Sequence, residues 1–194
     1  MKKTLLFLAN GFETMEFSVF VDVMGWARND YGIDVQLDTC GFTKQVTSTF
    51  GLPVIVDKLI DEINMDDYDA LAIPGGFEEF HFYDEAFDPL FSELIRQFHR
   101  RGKIVASICV AALAIGKSGI LEGKRATTYH IGGHRQKQLA DFGVEVVNEP
   151  IVVTDNIITS WCPQTAPGVA FTLLEMLAGK DAADQVKAGM GYSV

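Results

Sequence analysis

Residues 104–117 read IVASICVAALAIGK, a run in which a short apolar segment passes directly into one rich in Ala and Leu. The first part, Ile104–Ile108, has the length and continuous apolar character of a strand that is covered on both faces. The second part, Cys109–Lys117, favours a helix. The sequence therefore predicts a buried strand that feeds a helix, with Cys109 at the boundary.

The same alternation of short buried strands and longer helical segments extends from this run to both ends of the chain. Predicted strands are Leu5–Ala9, Ile33–Thr39, Tyr68–Ile73, Ile104–Ile108, Ala126–Thr128, Val144–Val147, Ile151–Val153 and Ile157–Ser160, with a hairpin-like excursion over Lys44–Val56. Predicted helices are Met15–Asn29, Pro89–Arg100, Cys109–Lys117, Gly132–Phe142, Ala166–Leu177 and Asp181–Ala188. Repeated strand–crossover–strand units predict a single α/β domain over residues 1–194, with a mostly parallel sheet and helices on both faces.

Composition excludes several classes of partner. The formal net charge of −10 argues against nucleic acid, which requires clustered Lys and Arg. Three cysteines without a CxxC or Cys/His finger pattern indicate a reducing compartment, so we expect a cytoplasmic protein. No apolar run approaches the length of a membrane span, and the N-terminal run breaks at Asn10-Gly11 without a cleavage motif, so we expect no membrane partner.

The candidate nucleophile is Cys109. A cysteine where a strand ends and a helix begins lies near free backbone N–H groups, which favour the thiolate. The same segment also fits a small packed cysteine in an Ala-rich helix. Two glycines at another strand end, Gly75 and Gly76 in Pro74-Gly75-Gly76, could present amides that form an oxyanion hole with that of Val110, although a Gly-Gly pair is most often only a turn.

The first predicted helix opens with two carboxylates, Glu13 and Glu16. Glu13 suits the helix dipole, whereas Glu16 lies on the side of the helix that faces the core. A carboxyl group beside a thiolate would have a raised pKa and could share a proton with the sulfur. The alternative is an ordinary first-turn glutamate.

Four motifs in order resemble the ThiJ/PfpI superfamily (class I glutamine amidotransferase-like). They are Leu8–Glu13 continuing through Glu16, Ala72–Gly76, Ala106–Cys109 and Lys124–Thr128. The chain is most similar to the branch of the Parkinson-disease-associated redox protein, or DJ-one branch. The resemblance runs from the first strand to the closing helices.

This resemblance implies a flavodoxin-like three-layer sandwich, commonly a homodimer. It implies Cys109 as the nucleophile-elbow cysteine, Glu16 as its protonated carboxyl partner, and Gly75, Gly76 and Val110 as backbone donors. Activities across the superfamily include cofactor-free glyoxalase, deglycation, peptidase, hydratase and redox-linked chaperone roles. The implied partner is a small carbonyl substrate or an oxidant, and no cofactor is expected.

Two positions depart from the family pattern. The protease-like branch has His directly after the cysteine, and Val110 there counts against peptidase activity. The redox-protein branch has His after the Thr-Thr pair, where this chain has Tyr129 followed by His130. Either side chain could serve the sulfur, so the general base stays open.

The remaining candidates are weaker. His130 and His134 could share a helix face as metal ligands if the helix began early, but no third ligand has suitable spacing, so no metal site is expected. Cys162 could be a second thiol near Cys109 or a packed loop cysteine. Three functions remain: an enzyme acting on small carbonyl compounds, a redox sensor or stress-response chaperone-like protein, and a binding module without turnover.

Overall fold

The computed structural model describes residues 1–193, and helices alternate with strands along most of this length. The helices are α1 Thr14–Asn29, α2 Phe82–Ala86, α3 Pro89–Arg100, α4 Ala111–Ser118, α5 His134–Asp141, α6 Ala166–Ala178 and α7 Lys180–Gly189. The strands are β1 Lys2–Phe7, β2 Val35–Gly41, β3 Gln45–Thr47, β4 Pro53–Ile55, β5 Lys58–Leu59, β6 Ala70–Ile73, β7 Ile104–Ser107, β8 Arg125–Ala126, β9 Glu145–Val146, β10 Ile151–Thr154 and β11 Ile157–Ser160. Short 3-10 turns cover Ile60–Glu62, Met65–Asp67, Glu78–Phe80 and Pro163–Thr165.

Seven strands form the main sheet, in the order β10-β11-β7-β6-β1-β2-β5. All neighbours in it are parallel except β10 and β11, which form an antiparallel pair at one edge. Helices α1, α6 and α7 contact one another, while α3 contacts α4 and α4 contacts α5, so the two groups make separate layers. The predicted flavodoxin-like, mostly parallel sandwich is confirmed.

The core is built on the central strands. The segment Leu5–Ala9 is almost completely buried, as its continuous apolar run predicts. The strand itself spans Lys2–Phe7, and Leu8 and Ala9 lead from it into the loop before α1. Phe7 stacks on Phe91 of α3 with ring centroids 3.6 Å apart, which ties β1 to the helix layer that packs on its face.

The excursion predicted over Lys44–Val56 is an antiparallel hairpin, in which β3 pairs with β4 from Gln45 opposite Ile55 to Thr47 opposite Pro53. Gly51 lies in its connection with φ 85, a conformation that glycine adopts without steric cost. The hairpin contacts the loop after β1, since the Gly11 N–H donates to the Thr47 carbonyl at 2.8 Å. It therefore stands beside the carboxyl end of the sheet.

Several predicted boundaries were wrong. The helix expected from Cys109 begins at Ala111, because Cys109 has φ 58 and lies outside the helix. The strand expected over Ala126–Thr128 is Arg125–Ala126, and it pairs with β9 in a separate small sheet. The helix expected from Gly132 begins at His134.

No helix within residues 1–193 has both the length and the apolar character that crossing a bilayer demands.

Candidate active site

Cys109 lies in a sharp turn between β7 and α4. Its φ of 58 is in the left-handed region, which costs a residue other than glycine about 1–3 kcal/mol. Hydrogen bonds on both sides hold the backbone there: the Cys109 N–H donates to the Ser160 carbonyl at 3.1 Å, and its own carbonyl accepts from Thr128 Oγ1 at 2.9 Å. The chain therefore turns sharply at Cys109, and the turn is held by Ser160 at the end of β11 and by Thr128 in the loop after β8.

Glu16 reaches the elbow from the first turn of α1. Glu13 caps this helix, accepting a hydrogen bond from the Glu16 N–H at 2.8 Å, so it has the end-of-helix role that the sequence predicts. The Glu16 side chain points the other way, is fully buried, and accepts from the Gly75 N–H through Oε2 at 2.6 Å. Its Oε1 is buried without a hydrogen-bond partner among residues 1–193.

Gly75 lies against both the carboxyl group and the cysteine. A Cβ at this position would lie 2.8 Å from Glu16 Oε2 and 3.0 Å from Cys109 Cβ, so these atoms crowd both sides of the glycine. The expectation that the Gly75 amide is a free oxyanion donor needs correction, because Glu16 occupies it. The N–H groups of Gly76 and Val110 have no carbonyl or side-chain oxygen partner within residues 1–193, so they are the donors that remain.

Glu16 and Cys109 influence each other's protonation. Burial raises the pKa of Glu16 from 4.5 to about 8, against the lowering effect of the Gly75 amide. Burial also raises the pKa of the Cys109 thiol, a charged Glu16 raises it further, and the Val110 amide lowers it. The acidic thiol expected from the helix N–H groups alone is therefore opposed by burial.

The consequence is that both groups hold a proton at neutral pH. At neutral pH Glu16 holds its proton, because its pKa is about 8, and the neutral carboxyl group does not repel a thiolate. Such a carboxyl group can donate a hydrogen bond to the sulfur and supply a proton to a reacting oxygen.

A cavity of about 250 Å³ opens over the pair. Its lining combines carboxylates, one guanidinium, aromatic rings and the elbow itself: Glu13, Glu16, Gly76, Phe77, Glu78, Glu79, Cys109, Val110, Tyr129, Arg135 and Pro163. Cys109 is 8% exposed, so the sulfur is reached through this opening by small molecules. Five residues predicted from the sequence thus meet at one cavity: Cys109, Glu16, Gly76, Val110 and Tyr129.

Of the two candidates for a general base, Tyr129 lines the cavity, whereas His130 does not belong to its lining. The His130 ring packs on Trp161 with centroids 4.2 Å apart, and its Nδ1 is buried without a hydrogen-bond partner among residues 1–193. Because α5 begins at His134, His130 precedes the helix, and the helical metal pair with His134 that an early start would have allowed does not form.

Arg135 is a cavity residue that the sequence analysis missed. It lies in the first turn of α5, forms an ion pair with Glu78 at 2.7 Å, and stacks over the Tyr83 ring at 5.0 Å. The sequence predicts a helix that starts close to this position, so the positively charged residue in its first turn could have been named as a candidate binding residue. Glu78 carried no such signal, because its 3-10 turn was not predicted.

The other two cysteines are also free thiols. Cys40 lies fully buried in β2. Cys162 is partly exposed and precedes the turn Pro163–Thr165, whose first residue lines the same cavity as Cys109. The sequence left open whether Cys162 is a second thiol near Cys109 or a packed loop cysteine.

Comparison with known proteins gives a consistent result. A family model described as the DJ-1/PfpI family matches residues 2–176. Protein dj-1beta of Drosophila melanogaster is 30% identical over 189 residues, covering 97% of this chain and 96% of the relative. Deglycase PfpI of Pyrococcus furiosus is 32% identical over 165 residues, covering 83% of this chain and 90% of the relative.

The solved structures agree with the sequence relatives. The crystal structure of Drosophila melanogaster DJ-1beta superposes with a TM-score of 0.87 at 27% identity, covering 100% of this chain and 99% of that chain.

Proposed function

The chain belongs to the DJ-1/PfpI family, and on that premise we propose that Cys109 converts small reactive carbonyl compounds without a cofactor, as a glyoxalase or deglycase does. One observation carries the proposal: a cysteine at a left-handed elbow meets a protonated carboxyl group beneath a cavity of about 250 Å³. A cavity of this size suits an α-oxoaldehyde. The similarity to a protein named a deglycase adds support.

The proposed reaction begins when the Cys109 thiol gives its proton to solvent and the resulting thiolate adds to the aldehyde carbon. A carbon–sulfur bond forms, the carbonyl electron pair moves to oxygen, and Glu16 gives that oxygen its proton. The N–H groups of Gly76 and Val110 would stabilise the negative charge that develops there. A proton then moves from the former aldehyde carbon to the neighbouring one, and the hydroxyl proton passes to the neighbouring oxygen, which leaves a thioester. Water cleaves the thioester to a 2-hydroxy acid and the free thiol, and Glu16 regains its proton from solvent.

Tyr129 is the side chain that we propose moves the second proton. It lines the cavity, whereas His130 is packed on Trp161. A phenol can act as an acid or a base when its position is fixed, so the family's His at this point is not required for turnover.

The test is methylglyoxal consumption by the purified protein without added cofactor. We expect turnover by the wild type and its loss in Cys109→Ser, with an unchanged circular dichroism spectrum and melting temperature. Full retention of activity in Cys109→Ser would refute the proposal. Binding of the substrate without turnover by the wild type would favour the binding module instead.

A redox role for the same cysteine is the second candidate. It is favoured by the neutral Glu16, which could donate a hydrogen bond to an oxidised sulfur. Mild peroxide treatment followed by mass measurement tests it, because oxygen must add to Cys109 in preference to Cys40. The three free thiols suit a reducing compartment, and we propose the cytoplasm as the site of action.

We also propose a homodimer, on the basis of exposed apolar side chains around the hairpin. Phe50, Leu52 and Ile55 on or beside the hairpin are 75%, 46% and 62% exposed, and Met15 at the start of α1 is 54% exposed. Large apolar side chains grouped on one surface are typical of contacts between subunits.

A further inference from the structure

We propose that Cys162 is a resolving thiol for Cys109, which gives the site a second activity: the reduction of hydroperoxides at the expense of a dithiol. This inference rests on the same reactive Cys109 as the proposed function. It differs in requiring a second sulfur and an oxidant instead of a carbonyl compound.

Backbone register brings the two cysteines to the same point of the sheet. Strands β7 and β11 are parallel, with Val105 opposite Ile157 and Ala106 opposite Ile158. The hydrogen bond from the Cys109 N–H to the Ser160 carbonyl, at 3.1 Å, continues this pairing beyond both strands. In the same register Cys109 is opposite Trp161, so Cys162 is one residue further along.

This offset is compatible with a disulfide. If the strand spacing of about 4.8 Å and the advance of about 3.3 Å per residue persist to this point, the two Cα atoms are about 6 Å apart. Residues offset by one in regular strands point to opposite faces, but Cys109 lies outside β7 with φ 58 and Cys162 lies after β11, so strand alternation does not fix either side chain. Disulfides span Cα separations of about 4.4–6.8 Å. Cys109 and Pro163, the residue after Cys162, both line the cavity, whereas Cys162 itself is not part of the lining.

Electrostatics agrees with this proximity. Burial is the main cause of the raised pKa of Cys109, and Cys162 is among the groups whose charge raises it further. This direction is the one expected for two thiols on the same side of the site.

The backbone around both sulfurs is held in place, so the disulfide would form mainly by side-chain rotation. Cys162 is extended, with φ −167 and ψ 177, and its carbonyl accepts from the Thr165 N–H at 2.9 Å and from Thr165 Oγ1 at 2.7 Å. Cys109 is held by Ser160 and Thr128. Cys162 is also partly exposed, so a dithiol reductant can reach it.

The first chemical step oxidises Cys109. Its thiolate attacks the distal oxygen of a hydroperoxide, a sulfur–oxygen bond forms, the oxygen–oxygen bond breaks, and the departing alkoxide or hydroxide takes the proton of Glu16. Cys109 becomes a sulfenic acid, and the peroxide is reduced by two electrons.

The second step forms the disulfide. The Cys162 thiolate attacks the Cys109 sulfur, the sulfur–sulfur bond forms, and hydroxide leaves and is protonated to water. An external dithiol such as dithiothreitol then exchanges with the disulfide and returns both thiols, becoming oxidised itself. Because the sulfenic acid is consumed, Cys109 is protected from sulfinic acid formation.

The experiment treats the reduced full-length protein with one equivalent of hydrogen peroxide, blocks remaining thiols by alkylation, and maps peptides by mass spectrometry. We expect the wild type to lose two hydrogens and to yield a cross-linked peptide pair containing Cys109 and Cys162. Cys162→Ala should lose this cross-link and gain oxygen on Cys109. Cys40→Ala, the matched control at the third cysteine, should form the cross-link as the wild type does.

Oxygen on Cys109 of the wild type without any cross-link, as in Cys162→Ala, would overturn the inference. Peroxide turnover with dithiothreitol provides a second readout, and Cys162→Ala should lower its rate, because dithiothreitol must then reduce the Cys109 sulfenic acid itself. Methylglyoxal assays on the wild type separate the two proposals: carbonyl turnover without a cross-link defeats this inference alone, and a cross-link without carbonyl turnover defeats the proposed function alone.

Discussion

Glu16 is a carboxyl group buried without a cation beside it, and it makes the stability of the folded chain depend on pH. Its pKa is about 8 in the folded chain against an ordinary 4.5. Between these values the folded state keeps a proton that the unfolded state has released. The free energy of unfolding therefore falls as pH rises through this window and levels off above it.

Replacing the carboxyl group by an amide tests this dependence. Glu16→Gln keeps an acceptor for the Gly75 N–H and cannot ionise, so urea unfolding at about pH 5 and about pH 8 should show a loss on the order of a few kcal/mol in the wild type that is absent from the variant. Glu175→Gln, on the exposed side of α6, is the control and should behave as the wild type. Equal pH dependence in all three proteins would contradict the buried neutral carboxyl group.

The choice between Tyr129 and His130 is a second question at the level of single residues. Tyr129→Phe removes one hydroxyl group from the cavity wall and should lower the rate of methylglyoxal consumption by about 10²-fold. His130→Phe keeps an aromatic ring on Trp161 and loses no hydrogen bond of Nδ1, so its rate should stay close to that of the wild type. The reverse order of the two rates would place His130 in the reaction.

The sequence predicts site residues well where they lie at the ends of strands. It predicts them less well where their position depends on the path of a loop. Cys109 follows a predicted strand directly and Glu16 opens the helix after another, and parallel topology brings such positions together. Tyr129 and His130 are adjacent, so a shift of one residue in the loop exchanges them. The occupied Gly75 amide was also out of reach, because a local motif does not show which side chain will accept from a free N–H.

At the level of elements, the end of β6 can pack against the elbow only because residue 75 is a glycine. Gly75→Ala would place a methyl group against Glu16 Oε2, Cys109 Cβ and the Ile108 carbonyl, with separations of 2.8, 3.0 and 3.0 Å. We expect thermal or urea unfolding to show a loss of about 1–3 kcal/mol, together with loss of carbonyl turnover.

Gly25 in α1 is the matched control. A Cβ there would meet no atom within 4 Å. Because alanine favours a helix interior more than glycine does, Gly25→Ala should stabilise the protein by about 1 kcal/mol and leave turnover unchanged. Equal behaviour of the two variants would show that position 75 is not crowded.

Element boundaries followed local signals where these were strong. The helix Pro89–Arg100 was predicted with both ends correct, since Asp88 caps it, accepting from the Leu90 N–H, and proline occupies its first position. Helix α4 starts two residues later than predicted, because the elbow takes Cys109 out of the helix. The five-residue α2 and the two-residue β5 were missed, since segments so short show no periodicity.

For the whole molecule, the proposed dimer leads to a direct test of oligomeric state. Ile55→Glu introduces a charge on the exposed face of the hairpin, and sedimentation velocity should show a shift from dimer to monomer. Val153→Glu, on an exposed position of the edge strand β10, should leave the dimer intact. A monomeric wild type, or a dimer that survives Ile55→Glu, would contradict an interface at the hairpin.

Global topology was predictable as a class and not in detail. Alternating strands and helices indicate a parallel sheet, and the continuous burial of residues 5–9 suits a central strand. The antiparallel β10–β11 edge is a hairpin with the two-residue turn Asp155-Asn156, which is a local signal. The separate β8–β9 sheet instead depends on pairing between two-residue segments that lie far apart in the chain. Such a pairing carries no local pattern, so composition and periodicity left it open.

The two tryptophans of this chain stand in different surroundings. Trp26 is 39% exposed on α1, whereas Trp161 packs on His130 and immediately precedes Cys162. The fluorescence of Trp161 should therefore change when a ligand, an oxidant or a proton alters the surroundings of His130 and Cys162. The emission of Trp26 should stay constant and serve as a reference. The protein thus carries a built-in optical probe, and Trp26→Phe would isolate its emission for kinetic work without an added dye.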